Sequence, residues 1–177
     1  MIDVLIFIVS GTLAAATALL FAAMGELVAE KSGMLNLGVE GMMATGAASG
    51  FVVVTLSGSH SLGFISAAVI GALLSLVYAV LTLVFRANQT ASGLAIGILG
   101  LGLSSAIGKS YEGTTVPSLP DLPLGPLADI PVLGPMFFQQ DIMVYISMLT
   151  VVAVWYGLNR TKLGLTIRAI GENPQTA

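Results

Sequence analysis

GELVAEKSGMLNLGVEG, Gly25 to Gly41, is the stretch whose reading decides the rest. It sets Glu26, Glu30, Lys31, Asn36 and Glu40 inside a chain that is apolar on both sides. A charge at the centre of a bilayer costs roughly 2.5 kcal/mol or more on the insertion scale. The stretch therefore lies either at a membrane surface or along a polar path inside the protein. Its glycines at 33, 38 and 41, beside Asn36 and Glu40, predict a broken or unwound helix at membrane depth. Such backbone survives only where protein or a water-filled cavity surrounds it. Glu26, Glu30 and Lys31 read most simply as charges that cap helix ends at the cytoplasmic surface. Asn36 and Glu40 are one helical turn apart, and so on one face. For them a place in a translocation path or bundle core stands level with a plain pairing of Glu40 to a loop group.

The flanking composition supports a membrane setting. Of 177 residues, 56% are hydrophobic and 8% charged, and the mean hydropathy is +0.98. Soluble domains run about 25% charged. The 21 glycines fit the same class, because small residues let transmembrane helices approach closely. The net charge of -3 is spread over separate loops. No basic patch suggests nucleic acid, and without cysteine there is no disulfide and no thiolate metal site.

Outward from the polar stretch, five runs are long enough to cross a hydrocarbon core about 30 Å thick. They are Val4–Met24, Met34–Leu56, Leu62–Phe85, Ala91–Ile107 and Ile142–Leu158. The expected fold is an all-α, polytopic transmembrane helix bundle in a single domain, residues 1–177. The first run has Asp3 and no basic start, which sets it apart from a cleavable leader. Glycines at 93, 97, 100, 102 and 108 give the fourth run small-residue faces for a neighbouring helix. Trp155 and Tyr156 close the fifth as interface anchors.

Between Lys109 and Gln140, prolines at 117, 120, 123, 126, 131 and 135 break regular structure. An extended extracytoplasmic loop is expected over 109–140, with a short helix near Pro135–Gln140. Alternating spans put Lys31, Arg86, Arg160, Lys162 and Arg168 on one side and Lys109 on the other. By the positive-inside rule the first side is cytoplasmic and the N-terminus lies outside. A re-entrant polar stretch would reverse the N-terminus.

The tail, 159–177, holds TKLGLTIRAIGENPQTA, in which Leu163, Leu165, Ile167 and Ile170 alternate with Arg168, Glu172 and Asn173. Gly171 and Pro174 stop a short helix there. It is a docking element for a cytoplasmic partner, a helix lying on the membrane, or a frayed end. Catalytic signals are thin. His60 is the single histidine and reads as a solvated loop residue. No GxxxxGK[ST] phosphate loop is present, and methionines such as Met34, Met42 and Met43 read as packing. Neither an enzyme nor a cofactor is expected.

SGMLNLGVEGMMATGA and LGLTIRAIGENPQTA together resemble the membrane permease subunits of ABC importers. The resemblance is to the family that moves branched-chain amino acids, simple sugars and nucleosides. GELVAEKSGMLNLGVEGMM is closest to its nucleoside or simple-sugar branch. The resemblance runs the length of the chain and implies the N-terminal part of a longer pattern, ending after the coupling loop. It implies a permease that couples to ABC ATPase subunits and pairs with a second permease subunit. An extracytoplasmic solute-binding protein would deliver the solute. It implies ATPase contact by Arg168, Ala169, Gly171, Glu172, Asn173 and Pro174, and places Asn36, Gly38 and Glu40 in or near the translocation core. An ion-coupled secondary transporter, with Glu40 as its proton- or ion-linked group, is the alternative from another class. Within the ABC class, branched-chain amino acids are the alternative solute.

Overall fold

A computed structural model describes residues 1–123, 125, 128 and 130–172. Five of its helices are long and apolar enough to cross a membrane. The all-α reading holds, with two three-residue strands as the only sheet among the described residues. The chain forms two compact units, Met1–Gly33 with Ser118–Ala177, and Met34–Pro117.

In the first unit, α1 is one helix over Ile2–Lys31. At 1.5 Å per residue it is roughly 45 Å long. It takes in Glu26, Glu30 and Lys31, where the sequence reading stopped the span at Met24. Ala and Leu favour the helix throughout, and its two glycines cost only about 1 kcal/mol each. It ends where Gly33 takes φ +86, a left-handed position that glycine adopts without strain. α5 (Ile142–Arg160) starts on Asp141, whose carboxylate accepts from Met143 N–H at 2.7 Å and Val144 N–H at 3.1 Å. α6 (Lys162–Glu172) follows.

The Pro-rich segment has a helical turn where the short helix near Pro135–Gln140 was expected, and adds a two-stranded ribbon to the expected loop. β1 (Asp121–Pro123) pairs antiparallel with β2 (Gln139–Asp141), and a π-turn over Gly134–Phe138 leads into β2. The buried Gln140 fixes this ribbon. Its Nε2 donates to Ser10 Oγ at 3.1 Å and to the carbonyls of Pro135 and Met136 at 3.2 and 2.9 Å. That ties the start of α5 to the start of α1. α6 meets the far ends of both, so α1 and α5 run parallel, as the first and fifth of five alternating spans must.

In the second unit, α2 (Val39–Ser57) and α3 (His60–Ala79) form an antiparallel hairpin through the left-handed Gly58. α3 continues as a π-turn over Val80–Val84, and the 25-residue span ends before Arg86 at φ +52. α4 (Gln89–Gly108) is capped by Asn88, which accepts from Ala91 N–H at 3.0 Å. His60 corrects the solvated-loop reading. It opens α3, half buried, with Nε2 2.8 Å from the Pro117 carbonyl.

α2 and α4 run parallel in nearly direct backbone contact. Gly41 faces Gly97 and Gly100, Gly38 faces Gly93, and Thr45 donates one hydroxyl to the carbonyls of Gly41 and Gly100, each at 2.8 Å. Helix association in lipid gains little from hydrophobicity, so close approach by small residues is what remains. Of the five glycines noted on α4, 97 and 100 meet α2 and 93 meets the Leu37–Gly38 backbone just before it, while a Cβ at Gly102 or Gly108 would meet nothing within 4 Å. Met42, Leu74, Tyr78 and Ile96 form the core beside this contact, with Met34 packed against it.

Gly100→Val drives a side chain into Gly41, whose Cα already lies 2.7 Å from an ideal Cβ there. Thermal unfolding of the detergent-solubilised chain should show a loss of about 1–3 kcal/mol or more, the range for overpacking. Gly102→Val should unfold within a degree or two of the parent.

Candidate functional site

Two places collect the residues that the sequence singled out, one in each unit. In the second unit the chain is non-helical from Met34 to Gly38, its last two residues forming a turn. The unwound segment was expected at the glycines 33, 38 and 41, and α1 runs up to it, to Lys31. Asn36 precedes the helix that holds Glu40, so the two do not share a helical face. Asn36 is half buried and turns back on its own chain. Its Oδ1 accepts from Gly38 N–H at 2.9 Å, and its Nδ2 approaches Met42 Sδ at 3.6 Å. This side-chain turn starts α2 at Gly38, whose buried Cα lies against the Gly93 carbonyl, leaving no room for a side chain. Glu40 is exposed in the first turn of α2, where a carboxylate favours the positive end of the helix dipole.

Two residues outside the polar stretch hold this segment open. Gln89 Oε1 accepts from Leu35 N–H at 2.9 Å, and its Nε2 points at Met34 Sδ at 3.5 Å. The Tyr78 hydroxyl donates to the Leu35 carbonyl at 2.6 Å from an almost fully buried ring. Both polar groups of Leu35 are thus paired by side chains from α3 and α4. The sequence reading used Gln89 only as a span terminator and passed over Tyr78. A phenol in an apolar run is the signal that marks such a partner, since its hydroxyl needs one when buried.

In the first unit, α6 lies across the ends of two spans. Gly164 packs on α5, where a Cβ would sit 2.5 Å from the Leu158 carbonyl oxygen. Gly171 packs on the end of α1, where a Cβ would run into the Lys31 carbonyl and sit 3.0 Å from Gly33 N. Gly164, Ile167, Arg168 and Gly171 are spaced i, i+3, i+4, i+7 and form the inward face. Leu163 and Leu165 are 77% and 62% exposed, and Ala169, Ile170 and Glu172 are exposed with them. The residues that the resemblance grouped as contacts therefore divide. Ala169 and Glu172 face out, Arg168 and Gly171 face in, and Asn173 and Pro174 lie outside the described residues.

A family model described as a branched-chain amino acid transport system / permease component matches residues 7–177. The chain belongs to that permease family. With five spanning helices it is a multi-pass membrane protein. It is 38% identical over 174 residues to a protein of Haloferax volcanii named "Putative glucose ABC transporter permease protein", covering 96% of this chain and 53% of that one. It is 35% identical to a guanosine ABC transporter permease protein of Bacillus subtilis, covering 99% of this chain and 59% of the relative. A nucleoside ABC transporter permease protein of Lactococcus lactis is 31% identical over the same shares. The chain thus spans a little over half the length of these relatives. No solved structure matches it.

Two outcomes are expected. Tyr78→Phe removes the side-chain partner of the Leu35 carbonyl and should cost about 0.5–1.5 kcal/mol, read as a lowered unfolding temperature with faster thiol labelling of a Leu35→Cys reporter. Gly171→Val should lift the end of α6 from α1. A disulfide engineered between position 171 neighbours on α6 and the Ser32 turn should then form several-fold more slowly than in the parent.

Proposed function

We propose that this chain is the pathway-forming permease subunit of an ABC importer, and that its solute is a nucleoside or a simple sugar. The observation that carries the reading is α6, an eleven-residue helix with glycines set against two span ends and an apolar, charge-tipped face left open. A helix that only hugged lipid would have no need to seat its glycines on the carbonyls of α5 and α1. The same arrangement suits a coupling helix, which must be gripped by an ATPase on one side and grip the spans on the other.

In this mechanism Leu163, Leu165, Ala169, Ile170 and Glu172 meet a cytoplasmic ATPase subunit. Arg168 and Gly171 hold the helix to the permease. Asn173 and Pro174 continue the docking loop. ATP-driven closure moves α6, and with it the ends of α1 and α5. Asn36, Gly38 and Glu40 lie in or near the translocation core, where an unwound backbone changes shape more readily than a helix. A second permease subunit completes the pathway, and an extracytoplasmic binding protein delivers the solute. The names of the relatives, which cite glucose, guanosine and nucleosides, favour a sugar or nucleoside over a branched-chain amino acid.

The test is uptake and co-purification in the assembled transporter. Leu165→Asp with Ile170→Asp removes two apolar anchors, each worth about 1.5–3 kcal/mol when buried. Loss of the ATPase subunit from the purified complex and a tenfold or greater fall in uptake are expected. Uptake that is unchanged, or that follows an ion gradient in the absence of ATP, would reject the proposal.

A further inference from the structure

The inward side of α6 borders a cleft of about 260 Å³ in the first unit. Its walls are apolar, from Met24 and Leu27 on α1 and Val151, Trp155 and Leu158 on α5. Its rim is polar, from Lys31 at the end of α1, Asn159 at the end of α5 and Arg168 on α6. Glu26 and Glu30, on the same stretch of α1, do not line it. Arg168 Nε is buried there without a hydrogen-bond partner. A guanidinium N–H withdrawn from water with no acceptor is costly, and its planar fork suits a phosphate. Asn159 turns its amide to the Trp155 carbonyl at 2.9 Å and so leaves the two cations as the charged members of the rim.

We propose that this cleft binds the phosphate headgroup of an anionic glycerophospholipid. Lys31 and Arg168 meet the phosphate, and the first methylenes of an acyl chain lie along Met24, Leu27 and Val151. Three features favour lipid over a water-soluble anion. The walls are apolar, the cleft lies at the ends of two membrane spans, and its Trp155 is 56% exposed near the end of α5, the usual place of tryptophan at a headgroup boundary. Basic pockets between spans near the cytoplasmic end are suited to acidic headgroups. A lipid there would fill the space behind α6 and set how firmly the helix seats on α1 and α5. The lipid proposal stands on the cleft alone and does not depend on the solute or on transport.

Native mass spectrometry of the detergent-solubilised full chain tests it, with phosphatidylglycerol, phosphatidylcholine and soluble glycerol 3-phosphate as probes. Phosphatidylglycerol should bind about 25-fold more tightly than phosphatidylcholine, at about five-fold per cation. The preference should vanish in K31Q/R168Q and persist in R160Q/K162Q, which neutralises two cations outside the cleft. Because R168Q alters the seat of α6, R168K is the second variant; it keeps the charge and should keep most of the preference. Equal binding of the two lipids overturns the proposal. So does a preference that survives K31Q/R168Q, or full competition by glycerol 3-phosphate, which would mark a free-anion site. A co-purifying peptide in the cleft in place of lipid would overturn it as well.

Discussion

A peptide group that belongs to no helix must find its partners elsewhere, and the second unit is built around satisfying one such group. Leu35 lies where the chain has left α1 and not yet entered α2, so neither helix can take its N–H or its carbonyl. Gln89 and Tyr78 do so. Each comes from a different helix, and each can reach only because α2 and α4 run in backbone contact with α3 alongside. The glycine contacts at 41, 97 and 100 thus hold the polar segment as well as the helices. Withdrawing one side-chain partner would leave that group of Leu35 to water or to a rearranged segment.

The same economy of space governs the first unit. Glycine at 164 and 171 is required by close approach to backbone, and neither position could take even a methyl group without displacing a span end. The inward face of α6 is therefore fixed by sterics, and the outward face is free to be fixed by a partner. Arg168 on that inward face and Lys31 at the end of α1 both line the cleft, while Arg160 and Lys162 do not.

Much of this was legible beforehand. Five apolar runs of spanning length, a polar break between the first two and a short amphipathic tail helix are properties of local composition, and local composition shows in a sequence. Which glycine meets which backbone does not. Gly97 and Gly102 look alike along the chain, yet only the first faces α2. The break was foreseen at the glycines 33, 38 and 41, but the end of the first span was drawn too early, at Met24, because Glu26 and Glu30 suggested a boundary and are good helix formers. The pairing of Asn36 with Glu40 on one face failed for a related reason. Helical spacing was applied across residues that are not helical. Tyr78 and Gln89 were missed because their partner is a backbone group more than 40 residues away. No pattern within either run announces a contact at that distance.

The Gln140 knot at one end of the first unit takes on another meaning beside the glycine seat at the other. α5 is pinned to α1 at Ser10 through Gln140, and again beyond its far end through α6 and Lys31. Two parallel rods fastened at both ends cannot slide past one another; they can only tilt or twist as a pair. A push delivered to α6 is then not absorbed by slippage between the spans it touches. It reaches the opposite rim of the unit, where the ribbon of β1 and β2 is tied, as a rigid-body displacement about 30 Å away.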